Sequence, residues 1–415
     1  MDPVEKKDEK PGSFNRRKFI DTAVKISAVG ALGYIQMSGC GDDKSDFVPT
    51  PDDKHVFLTK PYLHTLEQDS MNIRWITNKL CYSWVEYGEN NLLDKKAHVV
   101  SNGLVNANAR IHEVTVEGLT AGKTYHYRVA SKEILNFQPY ELKFGETIYS
   151  EQSLFTCFGN KNEISWIVFN DLHDRPESFP ELLKVNANNH FDFAFLNGDI
   201  FDFQTDEQQI INNLITPCTN GFATQKPLLF LRGNHELRGK FARDLHNYFS
   251  FPGGHYFTYQ CGPVFLIALD TGEDKEDSSP VYSGLVSSDV FREQQAVWLK
   301  KVMQTDAYKK ATYRVVMMHI PPFYSRNDHA TYHCKELFSP LMDEYKVDLV
   351  ISGHSHVYGV HPPVKGQHRY PIIIGGGPIT GNRTLIQVKA NQKQLTVQML
   401  KDDNQLVGSY VVNAS

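Results

Sequence analysis

Two patterns of hydrophobic and polar positions divide the chain after a charged N-terminal stretch. Over residues 56–158, apolar and polar residues alternate in short segments such as 71–77, 83–87 and 113–116. Successive side chains of a strand point to opposite faces, so this alternation indicates short strands with one buried face. Turn residues separate the segments, and together they predict an all-β sandwich for this region.

A tyrosine within this region indicates how the predicted sandwich is closed. Tyr125 follows the turn residues 119–123 and begins an alternating segment. This setting suits a tyrosine corner, in which the hydroxyl group bonds to backbone upstream in the chain. The alternative is that Tyr125 only fills the core. The segment resembles the fibronectin type III pattern, which implies a fibronectin III-like sandwich under either interpretation.

From Ile164 onward, continuous apolar runs replace the alternation. They occur at 165–169, 191–196, 227–231, 264–269, 315–318, 347–351 and 370–374. Strands that are buried on both faces of a sheet have this pattern. Helical stretches lie between several runs, and one of them, 289–303, can place four apolar residues on one face: Phe291, Val297, Trp298 and Val302. We therefore predict an α/β domain over residues 160–415, with helices that cover central β-sheets.

Residues 1–40 have the features of an export signal. The string Arg16-Arg17-Lys18 precedes a mildly apolar stretch that ends in Ser38-Gly39-Cys40. A basic pair, a short apolar stretch and small residues before a cleavage point are typical of secretory signals. The alternative is a short amphipathic helix of the mature fold. Residues 41–55 are rich in Asp and Pro, and we expect them to form a solvated linker.

The N-terminal segment resembles a bacterial twin-arginine signal peptide that ends in a lipobox. The resemblance implies that Cys40 is lipidated and becomes the first residue of the mature protein. Met37 departs from the aliphatic residue that usually begins a lipobox. We expect an exported bacterial protein, in the periplasm or anchored to the outer membrane. No other stretch approaches the length of a membrane span, so the lipid is the expected membrane contact.

Composition narrows the classes of function. The chain has 415 residues, and 43 Lys and Arg face 48 Asp and Glu for a net charge of −5. This balance gives no electrostatic reason to expect nucleic acid as a main partner. The apolar fraction of 41% excludes a largely disordered chain. Six cysteines in this length do not form a disulfide scaffold. The oligomeric state stays open.

Polar residues directly follow five of the buried runs. They are Asn170-Asp171-Leu172-His173, Gly198-Asp199-Ile200-Phe201-Asp202, Gly233-Asn234-His235-Glu236, His319-Ile320-Pro321-Pro322 and Gly353-His354-Ser355-His356. In open α/β sheets, ligands bind at the carboxyl ends of the strands. Each string alone is common, but five of them behind successive buried strands predict one shared site.

The side chains at these strand ends are suited to metal ions. The candidate ligands are Asp171, His173, Asp199, Asn234, His319, His354 and His356. Nitrogen and oxygen ligands without a thiolate suit Fe, Mn, Zn or Co and argue against a Cys-type structural zinc site. Seven ligands exceed the needs of one ion with an open position, and they suit two divalent or trivalent ions that share a carboxylate. Such a pair attracts an anion and lowers the pKa of bound water, so hydrolysis of a phosphate ester fits.

These motifs resemble those of the calcineurin-like metallophosphoesterase superfamily over roughly residues 160–385. The β domain and the string His319-x-Pro321-x-x-Tyr324 resemble the purple acid phosphatase branch. The resemblance implies two ions that share Asp199, the first with Asp171, His173 and His356, the second with Asn234, His319 and His354. Purple enzymes have Gly at the position of His173 and Tyr at the position of Asp202. We therefore expect a metal pair unlike the iron-containing one, and no purple colour.

His235 is the only histidine of the five motifs that is not needed as a ligand. We expect it to act as the general acid that protonates the leaving group. Asp202 is also free, and we expect its carboxylate to hydrogen-bond His235; the alternative is that Asp202 caps the following turn. The expected function is a secreted or membrane-tethered phosphomonoesterase. The alternatives are a phosphodiesterase for nucleotide-like or lipid-like diesters, and a lipoprotein that binds phosphate or a polymer without turnover.

Other polar and glycine-rich positions do not enter the predicted site. His329 and His333 are four residues apart but lack the Glu of a zincin helix. We expect them on a surface loop, with the cleft as the alternative. Gly375-Gly376-Gly377 lacks the Lys-Ser/Thr of a phosphate-binding loop and is expected to allow a tight turn. Arg232 and Arg238 flank His235, and each can either meet phosphate or pair with a carboxylate.

Overall fold

A computed structural model describes residues 54–64, 67–159, 161–187, 189–249 and 254–414. These residues belong to one compact unit. The predicted export signal, the lipidated Cys40 and nearly all of the predicted linker lie outside the described residues. No helix among the described residues is long and apolar enough to cross a membrane.

The first part of the described chain is built from strands, as the alternating pattern predicts. They are β1 Tyr62–Leu63, β2 Met71–Gly88, β3 Lys95–Ala97, β4 Val100–Ser101, β5 Leu104–Val105, β6 Ala109–Val116, β7 Thr124–Gln138, β8 Glu141–Tyr149 and β9 Ser153–Thr156. Strands β4 and β5 form a small hairpin, and the other seven form one sheet. The first half of β2 pairs with β6 and its second half with β7, and residues of both halves share one core.

The tyrosine-corner interpretation is confirmed. The hydroxyl oxygen of Tyr125 accepts a hydrogen bond from the backbone N–H of Thr120 at 2.9 Å, and the ring is buried. Neighbouring Tyr127 reaches the following domain, where its hydroxyl group donates to the carbonyl of Thr224 at 2.7 Å. Arg110 pairs with Glu207 at 2.6 Å. Because these contacts join the β-rich region to the α/β region, the two pack as one unit.

The α/β region contains two six-stranded sheets. The first has the order β12-β11-β10-β19-β20-β21. Its strands are β10 Glu163–Phe169, β11 Phe193–Asn197, β12 Leu228–Leu231, β19 Thr384–Asn391, β20 Gln394–Lys401 and β21 Leu406–Asn413. The second has the order β13-β14-β15-β16-β18-β17. Its strands are β13 Phe257–Cys261, β14 Val264–Leu269, β15 Tyr313–Met318, β16 Leu349–Ser352, β17 Gly359–His361 and β18 Ile372–Ile374.

Every apolar run of the sequence overlaps one of these strands, and the two sheets share a core. Strands β10, β11 and β12 are parallel, as are β14, β15, β16 and β18. One cluster of buried side chains joins residues of both sheets, and two further clusters cover the outer faces. The parallel strands therefore bring their carboxyl ends toward the same region.

The helices connect these strands. They are α1 Ser178–Asn186, α2 Glu207–Ile210, which continues through a π-helical turn Ile211–Ile215 into α3 Thr216–Gly221, α4 Ser288–Met303, α5 Asp306–Lys310 and α6 His329–Glu344. Single 3₁₀ turns occur at His235–Leu237, Lys240–Arg243, Leu245–Asn247 and Pro280–Tyr282.

The predicted apolar face of α4 is wrong in part. Val297 is 60% exposed, whereas Arg292 and Gln295 are buried. Both polar side chains bond the chain that follows β14. Gln295 donates to the carbonyl of Asp270 and Arg292 to that of Thr271, each at 2.6 Å. These bonds satisfy the buried polar groups, so the helix turns a partly polar face inward.

Candidate metal centre

The predicted ligands lie where β10, β11, β12, β15 and β16 end, and the backbone there is unusual. Five of the residues at these ends have positive φ angles between 49° and 70°: Asp171, His173, Asp199, His354 and His356. Residues other than glycine rarely adopt this region, and such strain clusters at functional sites. A Cβ atom at Gly233 would lie 2.2 Å from Asp199 Oδ1, so this glycine permits the close approach of two strand-end loops.

Three side chains form a first group of potential ligand atoms. His356 Nε2 lies 3.4 Å from Asp171 Oδ1 and 3.0 Å from His173 Nε2. Asp171 and His173 are buried, and His356 is partly exposed. A carboxylate oxygen and two imidazole nitrogens therefore converge on one small volume.

A second group lies beside the first and is more deeply buried. His319 Nε2 is 3.0 Å from Asp199 Oδ2, and His354 Nδ1 is 3.0 Å from Asn234 Oδ1. The same oxygen of Asp199 is 3.8 Å from His173 Nε2 in the first group. Asp199 thus stands between the two groups, as the sequence predicts for a shared carboxylate.

The donor set fits metal ions of the predicted type. His319 directs Nδ1 at the carbonyl of Asn197 at 2.8 Å, while its buried Nε2 faces Asp199 Oδ2 at 3.0 Å without hydrogen-bond geometry. Burial alone would lower the pKa of His319, but the carboxylates of Asp199 and Asp171 raise it to about 10. Burial would raise the pKa of Asp199, and the nearby histidines, with His319 foremost, hold it below its usual range. Two ionised carboxylates beside inward-facing imidazoles suit cations that prefer nitrogen and oxygen ligands.

Comparison with known families agrees with this geometry. A model described as calcineurin-like phosphoesterase matches residues 165–358, and one described as purple acid phosphatase, N-terminal domain, matches residues 59–142. The first match includes all seven candidate ligands and also His235 and Asp202. Residues 165–358 are therefore a calcineurin-like phosphoesterase domain. Residues 59–142 are a purple acid phosphatase N-terminal domain, and the two domains together indicate a metal-dependent hydrolase.

Individual relatives give the same result. The chain is 23% identical over 335 residues to probable purple acid phosphatase 20 of Arabidopsis thaliana, which covers 75% of this chain and 70% of the relative. Purple acid phosphatase 18 of the same plant is 22% identical over 310 residues, 69% of this chain and 62% of the relative. A purple acid phosphatase from yellow lupin (Lupinus luteus) seeds shares the fold, with a TM-score of 0.63 and 14% identity. The match covers 85% of this chain and 74% of the lupin chain. PhoD also shares the fold, with a TM-score of 0.59 and 12% identity, over 86% of this chain and 88% of the PhoD chain.

The predicted hydrogen bond between the Asp202 carboxylate and His235 is wrong. In the phosphoesterase domain, Asp202 Oδ1 lies 2.9 Å from His173 Nδ1 instead. The loop directs the backbone carbonyl of Asp202 at His235, 2.6 Å from Nδ1. The backbone N–H of Asp202 donates to Asp174, so the loop is fixed in this orientation. Asp202 therefore contacts the candidate ligand His173 through its side chain and the catalytic candidate His235 through its backbone.

The second nitrogen of His235 faces an arginine. His235 Nε2 lies 2.9 Å from Arg238 Nη1, and Arg238 pairs with the buried carboxylate of Glu273 at 2.9 Å. Because Nδ1 bonds a carbonyl oxygen, Nε2 is the nitrogen with a free lone pair in the neutral ring. Arg232 pairs with Asp270 at 2.7 Å. Both arginines that flank His235 thus pair with carboxylates, and Arg238 also contacts His235.

Glu236 is a structural residue of the site whose role the sequence did not reveal. Its carboxylate is fully buried and accepts four backbone N–H groups, from Gly233, Asp199, Ile200 and Phe201, at 2.6–3.2 Å. These bonds tie the loop after β11 to the loop after β12. The only sequence signal is its place in the Gly-Asn-His-Glu string.

Asp328 is a second residue of the site that sequence reasoning does not single out. It caps α6, where Oδ1 accepts the N–H of Thr331, and Oδ2 lies 3.0 Å from His354 Nε2. With Nε2 held in this way, Nδ1 of His354 faces Asn234 and the centre. Carboxylates that hold a ligand histidine fix the orientation of its ring.

Asp328→Asn should weaken metal binding without unfolding the protein. Asparagine keeps the helix cap but removes the charge that orients His354, so we expect metal affinity about 10- to 100-fold lower. Competitive titration with a chromophoric chelator measures the affinity. Asp206→Asn, at the cap of α2 and outside the metal centre, is the matched control. Equal affinities in the two variants would refute the role of Asp328.

The remaining sequence interpretations are also corrected. His329 and His333 lie in the first turns of α6 rather than on a surface loop. They contact Asp289 of α4. Arg292 donates to both Asp289 and His333, so its guanidinium group already supplies the positive charge of this cluster. Residues 375–377 do not form a tight turn; a Cβ at position 375 would lie 2.0 Å from Asn170 Oδ1. Gly375 allows close packing against Asn170, whose side-chain amide also donates to Asp171 at 2.6 Å.

Proposed function

We propose that the protein is an exported phosphomonoesterase that uses two metal ions joined by Asp199. The position of Asp199 between two groups of ligands carries the proposal, since a shared carboxylate is what a pair of ions requires. One ion would be held by Asp171, His173 and His356 with Asp199. The other would be held by Asn234, His319 and His354 with Asp199. When bound, such ions neutralise phosphate charge and supply a nucleophile at neutral pH.

The groups around the centre assign the remaining steps to protein side chains. His235 Nε2 lies 3.9 Å from Asp199 Oδ2, so this nitrogen stands at the edge of the centre. The carbonyl of Asp202 fixes the ring, and Arg238 sets a positive charge beside Nε2. Charge develops on the leaving oxygen as its bond to phosphorus breaks. We assign His235 as the proton donor to that oxygen; this role requires the protonated ring, in which Nε2 carries a hydrogen and no longer accepts from Arg238.

His235→Gln should lower turnover most for esters with poor leaving groups. An alkoxide needs a proton, whereas a nitrophenolate leaves without one, so we expect losses of about 10²- to 10⁴-fold for alkyl phosphates. The loss for nitrophenyl phosphate should be much smaller, with metal content unchanged. Steady-state kinetics on the two esters measure the difference. His190→Gln, at an exposed histidine, is the control. Equal losses on both esters would show that His235 is not the acid.

The substrate class is tested with a panel of esters. Purified protein is assayed on phosphate monoesters and diesters with defined Fe, Mn or Zn, each with and without chelator. We expect monoester hydrolysis that chelator abolishes. Faster hydrolysis of diesters would favour the phosphodiesterase alternative. Phosphate binding without turnover on any ester would favour a binding lipoprotein and overturn the proposal.

Export and anchoring are proposed on the signal-like segment alone. Cys40 in its lipobox-like string is the proposed lipidation site. Growth with a labelled fatty acid tests it, because the label should enter the wild-type chain and be absent from the Cys40→Ser variant. Equal labelling of both chains, or of neither, would refute lipidation at Cys40.

A further inference from the structure

The hairpin of β7 and β8 extends beyond the sheet of the N-terminal domain. Pairing between β2 and β7 ends at Cys81 and Glu133, and β9 pairs only with the first residues of β7. Past Glu133, β7 pairs with β8 alone among the described strands. The outer part of the hairpin is therefore a two-stranded ribbon, which is marginally stable in water without a covering surface.

One face of this ribbon is apolar and exposed. Phe137 and Leu142 are opposite each other, and Phe144 follows on the same face of β8. Their exposed fractions are 53%, 47% and 39%. Beyond the register shift at Leu135, which is itself exposed, the other face carries polar side chains: Asn136, Gln138, Glu141 and Lys143. The ribbon thus has the two-sided character of an element that lies at a boundary between water and an apolar phase.

The tip of the ribbon adds an aromatic residue in a strained conformation. The two-residue turn is Pro139-Tyr140, and Tyr140 is fully exposed with a φ angle of 63°. Glycine or asparagine normally fills a turn position with positive φ, because a bulky side chain is strained there. Nothing among the described residues covers this ring. Tyrosine is enriched at the interface of a bilayer with water.

The start of the described chain lies at the base of the same hairpin. The ring of His55 contacts Cys81 at 3.2 Å, and Cys81 is opposite Glu133, where the hairpin leaves the sheet. Residues 41–53 separate Cys40 from Lys54, and a chain of that length spans at most about 45 Å. The ribbon from Glu133 to Tyr140 rises about 23 Å. A lipid on Cys40 can therefore reach the same bilayer as the tip of the hairpin.

We propose that the β7–β8 hairpin inserts its apolar face and Tyr140 into the interfacial layer of the bilayer to which Cys40 is anchored. This proposal rests on the lipidation of Cys40 proposed above. The lipid supplies the attachment, and the hairpin supplies a second contact that fixes the orientation of the enzyme on the membrane. Two signals of this kind give stable anchoring where one acyl chain gives only marginal binding.

Bromolipid quenching tests the insertion. Full-length chains that carry Tyr140→Trp or Leu104→Trp are reconstituted into phosphatidylethanolamine and phosphatidylglycerol vesicles with or without brominated acyl chains. Leu104 is the matched control, since it is an apolar residue, 75% exposed, on the β4–β5 hairpin of the same domain. We expect quenching beyond that of the wild type for Tyr140→Trp only. The proposal would be overturned if bromolipid left the fluorescence of Tyr140→Trp unchanged in protein that carries the fatty acid.

Partition of the chain without its acyl group separates the hairpin from the lipid. In the Cys40→Ser background, Phe137→Ser with Leu142→Ser should reduce binding to the same vesicles roughly tenfold or more. Val100→Ser with Leu104→Ser should not. Equal binding by both double variants would refute the hairpin contact, even where labelling establishes the anchor. Sedimentation without vesicles tests for a second copy of the chain as the occupant of this face. A doubled mass that is lost only in the Phe137 and Leu142 variant would assign the face to that copy.

Discussion

Asp199→Ala should abolish phosphate ester hydrolysis and remove both metal ions from the purified protein. Asp199 Oδ2 lies 3.0 Å from His319 Nε2 and 3.8 Å from His173 Nε2, so one carboxylate serves both groups of ligands. Its loss leaves each group one anionic ligand short. Metal ions contribute several kcal/mol to such reactions, so kcat/KM should fall by about 10³-fold or more.

Metal analysis by mass spectrometry and steady-state kinetics measure this effect. Asp192→Ala is the matched control, because Asp192 is also an ion-paired aspartate, with a side chain only 6% exposed, but lies with Lys161 and Ser165, outside the metal centre. The control should keep its metal ions and its activity. Full activity in Asp199→Ala, or loss of only one ion, would contradict the shared carboxylate.

Glu236→Ala should destabilise the protein more than the loss of an ordinary buried carboxylate. Its four N–H donors are buried, and each loses its acceptor. An unsatisfied buried donor costs about 1–3 kcal/mol, so with water partly replacing the carboxylate we expect a loss of at least about 3 kcal/mol. Activity should also fall, because the loops that carry Asp199 and Asn234 lose their link.

Thermal unfolding of the metal-free protein isolates the effect on the fold from the effect on metal binding. Glu236→Gln is the graded comparison, since it keeps one acceptor oxygen and should lose less stability than alanine. Unchanged melting temperatures in both variants would show that the two loops hold their conformation without Glu236.

The strands and the clustering of the candidate ligands could be predicted because both are local in sequence. A strand buried on both faces reads as an apolar run, and the residues directly after it must lie at the edge of the sheet. Asp171, His173 and Asn234 are placed by this rule alone. The backbone alone places a residue at the end of a strand, whatever rotamer its side chain adopts.

The contacts around the ligands could not be predicted, because they depend on side-chain direction and on distant segments. Asp202 lies near both His173 and His235 in the folded chain, and only the conformation of its loop decides which ring meets the carboxylate. Asp328 reaches His354 from the N-terminus of α6, 26 residues away in sequence. Its only sequence signal is that of a helix cap. The inward face of α4 could not be predicted for a related reason. Gln295 is buried because its side chain bonds the backbone of Asp270, which lies outside the helix.

A metal titration of the active protein tests the central claim most directly. Protein freed of metal by chelator is titrated with Zn²⁺ or Mn²⁺, while bound metal and phosphate monoester hydrolysis are measured on the same samples. Our account predicts no hydrolysis without metal and full activity only when two ions are bound per chain. Full activity with one bound ion per chain, or hydrolysis by the metal-free protein, would contradict it.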